Sequence, residues 1–124
     1  MPYPIWIEIG GLKLKAELAE TECARRIYEA LPLEAEVQEW GDEFYFRVPV
    51  ECEPDETYTL KVRAGDLGYW PPGRALALFF GPTPASTGPD PVPASEVNLV
   101  GRLLDDPSRL REVKGTSRIR LEKR

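Results

Sequence analysis

Between Ile5 and Leu18 the chain alternates apolar and polar side chains, and two glycines break the run in the middle. Ile5, Ile7 and Ile9 fall on one side of an extended chain. After Gly10-Gly11, Leu12, Leu14, Ala16 and Leu18 do the same, with Lys13, Lys15 and Glu17 opposite. A period of two marks a strand half-buried on a sheet. Glycine accepts positive φ without a Cβ clash, so Gly10-Gly11 predicts a tight turn, and the pair reads as a hairpin with one wet face.

The same period recurs downstream. Leu33, Ala35 and Val37 alternate with Glu34, Glu36 and Gln38, and Gly41-Asp42 marks a turn. Phe44, Phe46 and Val48 form the inner side of a return strand, with Tyr45 and Arg47 on its other face and Pro49 at its end. Tyr58, Leu60 and Val62 alternate with Thr57, Thr59, Lys61 and Arg63, which predicts a further strand. Gly65 to Gly73 reads as a long ordered turn. Ala75 to Phe80 is a continuous apolar run, as expected of a strand buried on both sides. Gly81 to Ala94 holds Pro82, Pro84, Pro89, Pro91 and Pro93, which bars helix and central strand. Val97 to Leu104 and Thr116 to Leu121 complete the set.

Helical spacing occurs twice. Thr21 can cap a helix carrying Ala24, Ile27, Tyr28 and Leu31, which Pro32 stops. Asp106-Pro107 has the cap-then-proline order of a second helix start, with Leu110 and Val113 facing inward and Gly115 supplying the left-handed turn at its end. Eight short strands, mostly hairpin-connected, with one helix after the second and one before the last, predict a single mainly-β domain over residues 1–124. Its architecture is a closed, eight-stranded antiparallel barrel plugged at its ends by the helices.

Composition removes whole classes of function. The 124 residues include no histidine, which excludes His-based triads, imidazole bases and His-ligated zinc. Cys23 and Cys52 are too few for a Cys-only zinc site, so no metal is expected. Acids outnumber bases 21 to 16, which disfavours nucleic acid as a partner. No apolar run approaches the ~18 residues of a membrane span. Met1-Pro2-Tyr3-Pro4-Ile5-Trp6 lacks the basic start and long apolar stretch of a secretion signal, so a cytoplasmic location is expected. In that reducing compartment Cys23 and Cys52 are expected as free thiols. Gly65-x-x-Gly68 lacks the strand–helix context and lysine of a phosphate loop, and no cofactor is expected. Thirteen prolines with one Asn, one Gln and one Met fit a hot-environment trend or a GC-rich genome equally. From Arg109 onward seven bases face two acids, a run that can bind an acidic partner or be neutralised within the closed barrel.

The local sequences resemble cyclophilins. Phe44-Tyr45-Phe46-Arg47-Val48-Pro49 is similar to the cyclophilin strand that reads Phe-His-Arg and runs on to proline. Ala77-Leu78-Phe79-Phe80 resembles its Gln-Phe-Phe strand. Val97-Asn98-Leu99-Val100-Gly101-Arg102-Leu103 resembles its His-Val-Val-Phe-Gly-Lys-Val strand. More closely, Gly65-Asp66-Leu67-Gly68-Tyr69-Trp70-Pro71-Pro72-Gly73 followed by Phe79-Phe80-Gly81-Pro82-Thr83-Pro84 looks like the small bacterial and archaeal cyclophilin-like family. The resemblance covers Ile5 to Leu121. It implies an eight-stranded barrel capped by two helices. Prolyl isomerase activity belongs to the large relatives, and the small branch has no established function.

A prolyl isomerase must hold a twisted X-Pro bond against a barrier of ~18–20 kcal/mol. That task needs an apolar pocket for the ring and a donor beside the bond. The resemblance makes Arg47 the candidate donor, flanked by Phe46; the same residue can equally be a solvated strand arginine paired to Glu36 or Glu43. Phe79 or Phe80 can floor a pocket or fill the barrel. Tyr69 and Trp70 can line a peptide groove, or Trp70 can fold back over a barrel end. Asp66 suits an Asx-type turn, and Arg74 can add an anion contact or stay solvated. The pocket histidine of cyclophilins falls at Val97 or a neighbour, where no histidine stands, and the glutamine falls at Leu78, so two polar pocket positions depart from the cyclophilin pattern. The expected function is therefore binding of a proline-containing peptide or small ligand, with weak or no isomerase activity. The rivals are a divergent isomerase and a structural module that forms homo-oligomers through Tyr3, Trp6 or Trp40.

Overall fold

A computed structural model describes residues 1–124. Its strands are β1 (Tyr3–Ile9), β2 (Leu12–Leu18), β3 (Leu33–Glu36), β4 (Gln38–Glu39), β5 (Glu43–Arg47), β6 (Asp66–Trp70), β7 (Ala75–Phe79), β8 (Asn98–Leu103) and β9 (Arg118–Lys123). All pair antiparallel in one sheet of order β3-β9-β1-β2-β8-β6-β7-β5-β4.

The hairpin forms as its alternation requires. Ile5 opposes Ala16 and Ile7 opposes Leu14, all four fully buried, and Gly10 and Gly11 turn the chain at φ of 55° and 85°. Helix α1 (Glu22–Glu29) starts where the Thr21 hydroxyl accepts the Ala24 N–H at 3.2 Å, and it buries Cys23, Ala24 and Ile27. The Leu31–Pro32 peptide that follows is cis.

The two ends of the sheet, β3 and β4, are separated only by Val37. The first half of this extended segment pairs with β9 and the second with β5. Between them the Val37 N–H donates to the Ser117 carbonyl at 2.9 Å. The sheet thereby curls into a nearly closed barrel whose seam one continuous segment crosses. The count is nine strands rather than eight because this segment is split in two.

Two assignments change. Residues 57–63 do not form a strand: only Thr59 pairs, in an isolated bridge to Val97, and Tyr58 and Leu60 stay exposed. The strand lies instead at Asp66–Trp70, inside the segment expected to be a turn. The reason is competition for edges. β6 pairs with both β7 and β8, and those strands take β5 and β2 on their other sides, so no ladder is left for 57–63.

Even-numbered residues of β7 and β5, with the inward sides of β1, β2, β8 and β9, fill the interior. A 3-10 helix, Pro107–Val113, adds Leu110 and Val113; the Asp106 carboxylate accepts the Ser108 N–H at 3.0 Å at its start. Outside the barrel wall a second cluster forms from Val62, Ala77, Phe79 and Val97. β7 is thus buried on both faces, as its unbroken apolar run requires.

Cys23 and Cys52 form a disulfide, not free thiols. The first turn of α1 packs against the segment after β5, bringing the two Cα atoms to 5.7 Å, within the span a disulfide bridges. Part of the basic C-terminal run is paired within the molecule. Arg111 and Lys114 hold Asp42 at 2.8 and 3.0 Å, and Arg118 and Arg120 hold Glu34 at 3.4 and 3.0 Å. No helix is long and apolar enough to cross a membrane.

Candidate functional site

The outer face of β5, β7 and β6 is built in rows by the pleat. Strand residues alternate sides, so Phe44 and Phe46 enter the barrel while Glu43, Tyr45 and Arg47 face out. Register then sets their neighbours: Glu43 opposes Phe79, Tyr45 opposes Ala77, and Arg47 opposes Ala75. On the far side of β7, Gly68 opposes Ala77 and Trp70 opposes Ala75. The floor of this patch is therefore Ala75 and Ala77, side chains too small to fill the space above the sheet.

Larger groups wall the depression. Trp40, Tyr45 and Trp70 stand around it, and the segment Pro93–Val97 passes over it. The Trp70 indole N–H donates to the Ser95 hydroxyl at 2.5 Å, which pins that segment to the barrel. The result is a cavity of about 250 Å³ on the outside of the barrel. An apolar cavity of ~150 Å³ admits benzene, and drug-sized pockets begin near ~300 Å³. The space here suits one ring or two fused rings.

The proline-rich segment leading to this roof is ordered by its own side chains. The buried Thr83 hydroxyl donates to the Val92 carbonyl at 2.5 Å. Ser86 accepts the Thr83 N–H at 2.9 Å and donates to the Asp90 carbonyl at 2.7 Å. On the other flank, fully buried Asn98 accepts the Asp55 N–H and donates to the Glu53 carbonyl, both at 3.0 Å. These bonds tie the acidic loop down beside Val97.

Glu43 is the one carboxyl in the cavity wall, which holds no basic side chain. It is only 8% exposed, and its Oε1 atom is buried without a hydrogen-bond partner. Burial pushes its pKa up to about 7, since a carboxylate loses its hydration there and gains no cation in return. Arg111 and Lys114 are engaged with Asp42, and Arg74 with Glu51 at 3.2 Å, while Arg47, on the outer face of the same strand, lies outside the cavity lining.

The residues singled out from sequence divide into three groups. Trp70 and Phe79 line the cavity. Arg47 is on the same outer face, exposed and paired with neither Glu36 nor Glu43; it stands beside Ala75 but outside the lining. Phe46, Tyr69 and Phe80 are buried in the barrel interior. Phe80 packs on Phe44 with ring centroids 4.7 Å apart. Tyr69 uses its hydroxyl structurally, donating to the Val50 carbonyl at 2.6 Å and accepting the Cys52 N–H at 3.1 Å. Asp66 accepts the Arg63 N–H at 2.8 Å, a bond three residues back along the chain rather than the Asx-type turn expected of it. Of the candidate interface aromatics, Tyr3 packs on Tyr28, Trp6 lies under Lys13 and Arg124, and Trp40 lines the cavity.

Sequence reasoning missed Glu43 and Tyr45 as site residues. Their only local sign is that both share the outward face of β5. Their importance depends on register, because Glu43 meets Phe79 and Tyr45 meets alanine across the ladder.

Comparison with known proteins agrees with this architecture. The cyclophilin-like family profile matches residues 3–122. The solution structure of the hypothetical protein AF2241 from Archaeoglobus fulgidus superimposes with a TM-score of 0.83 at 35% identity, over 99% of this chain and 95% of that one. McbB, solved in complex with tryptophan, shares the fold at a TM-score of 0.74 and 18% identity, over 97% of this chain and 44% of McbB. No curated protein matches the chain. The barrel, its two helices and the match across nearly its whole length make this chain a member of the cyclophilin-like family.

Proposed function

We propose that this chain binds a small ligand, carrying one ring or two fused rings, in the cavity on the outer face of β5, β7 and β6. The observation that carries the reading is Glu43: a buried carboxyl with an unpartnered oxygen, set in an aromatic wall. Burying such a group without a partner costs about 1–3 kcal/mol or more, a cost that a bound donor offsets. Apolar walls with one convergent polar group are the usual make-up of a small-molecule site. Binding without isomerisation is favoured because Arg47, the donor an isomerase would use, stands outside the lining.

Titration with indole and with benzyl alcohol, followed by Trp fluorescence and by amide chemical shifts, tests the reading. Saturable changes at Trp40, Trp70 and Val97 are expected, and Ala77→Val, which narrows the floor, should weaken them. Absence of any saturable shift with single- and fused-ring compounds would sink it.

A further inference from the structure

We propose that Glu43 selects the occupant of this cavity by charge, and that the site takes a ring-bearing primary amine as its ammonium form. The inference rests on the binding reading above and adds the chemical class of the ligand.

Three observations lead to it. First, the Glu43 side chain lines the cavity and accepts no hydrogen bond from the protein, and an ionised carboxylate only accepts hydrogen bonds. A donor for its ionised form must come from the ligand. Second, the groups that share the cavity with Glu43 bring no positive charge. They are Trp40 from the turn before β5, Tyr45 on its own strand, Phe79 across the ladder, and Pro93 to Val97 above. Ser95 is the one hydroxyl of the roof, and it already accepts from Trp70. Arg47, the unpaired cation on this face, stands beside Ala75 but outside the lining, so a ligand carboxylate would meet Glu43 inside the cavity with no cation there to offset it, whereas an ammonium would meet an unopposed carboxyl. Third, the walls are faces and edges of Trp40, Tyr45 and Trp70. Aromatic rings attract cations through their quadrupole, so the same walls that accept the ring of the ligand tolerate its charge.

The setting of Glu43 is consistent with this role. Burial holds the Glu43 pKa near 7, so much of the protein carries a neutral carboxyl there at neutral pH. An arriving ammonium favours the ionised form, and the complex gains a charge-assisted hydrogen bond in a dry setting.

Calorimetric titration of the intact chain with benzylamine, benzyl alcohol and phenylacetate at pH 7.5 decides the matter. Benzylamine should bind at least tenfold more tightly than benzyl alcohol, and phenylacetate should give no saturable heat. Glu43→Gln should bring benzylamine down to the level of the alcohol, with amide spectra verifying the fold. The ranking of the three compounds on the unmodified protein stands as a test even if the variant fails to fold. Equal binding of amine and alcohol, or tighter binding of phenylacetate, overturns the proposal and leaves the cavity a neutral ring site. If none of the three binds, the binding reading itself falls and the charge selection falls with it.

Discussion

Val97 occupies the space in which Gly68 would carry a side chain. A Cβ built on Gly68 would lie 2.6 Å from the Val97 Cγ2 atom and 2.9 Å from its Cβ, closer than packed carbons approach. The glycine that looked like punctuation in a turn is thus a strand residue whose missing side chain lets the roof of the cavity settle on the sheet. Gly68→Ala should push Val97 outward and destabilise the protein by about 1–3 kcal/mol, the usual cost of overpacking. A urea unfolding midpoint measures it, and unchanged stability would contradict the close approach.

Tyr69 links the wall of the barrel to the loop after β5. Tyr69→Phe keeps the ring but leaves the Val50 carbonyl and the Cys52 N–H without their partner in a buried setting. A loss of about 1–3 kcal/mol is expected in chemical unfolding. The cavity lies on the opposite face of β6, so ligand titrations should be little altered by this change.

The Cys23–Cys52 bond closes a segment with a sequence separation of 29. In the chain-entropy account, a loop of this size restricts the unfolded state by about 3.6 kcal/mol. Unfolding in the presence of a reductant, or of the paired Cys23→Ser and Cys52→Ser variant, should show a loss near this value. Equal stability with and without reductant would mean that the bond contributes nothing.

Glu43 makes stability depend on pH with a defined sign. Its pKa lies at about 7 in the folded chain, against 4.5 ordinarily. Below the lower value both states hold the proton and Glu43 contributes no pH dependence. As pH rises between the two values, the unfolded state ionises while the folded state resists, so stability falls; above the higher value the loss is complete. The size of the loss is about 3 kcal/mol at ~1.4 kcal/mol per unit. Glu43→Gln should remove this slope, so the variant should gain on the unmodified protein across that window. A pH series of thermal unfolding curves that run parallel for both proteins would rule it out.

Local pattern was enough for much of the fold. The alternation of Ile5–Leu18 and of Phe44, Phe46 and Val48 requires half-buried strands. Thr21 and Asp106 carry their own capping oxygens, and the apolar run at Ala75–Phe79 has to be covered on both faces. Each of these signals acts through neighbours along the chain, by pleat, helical turn or backbone hydrogen bond. That is why a barrel with two helices was legible without coordinates.

Whether 57–63 or Asp66–Trp70 becomes the strand depends on which segment reaches the open edges of β7 and β8. Residues 57–63 alternate well and still lose. The pairing of Cys23 with Cys52, and the meeting of Glu43, Ala77 and Trp70 around one cavity, likewise need contacts between distant segments. Side-chain order along the sequence determined which faces are apolar. Only the closing of the sheet determined which residues stand opposite one another, because strand register is settled by packing across the ladder and not by anything within a single strand.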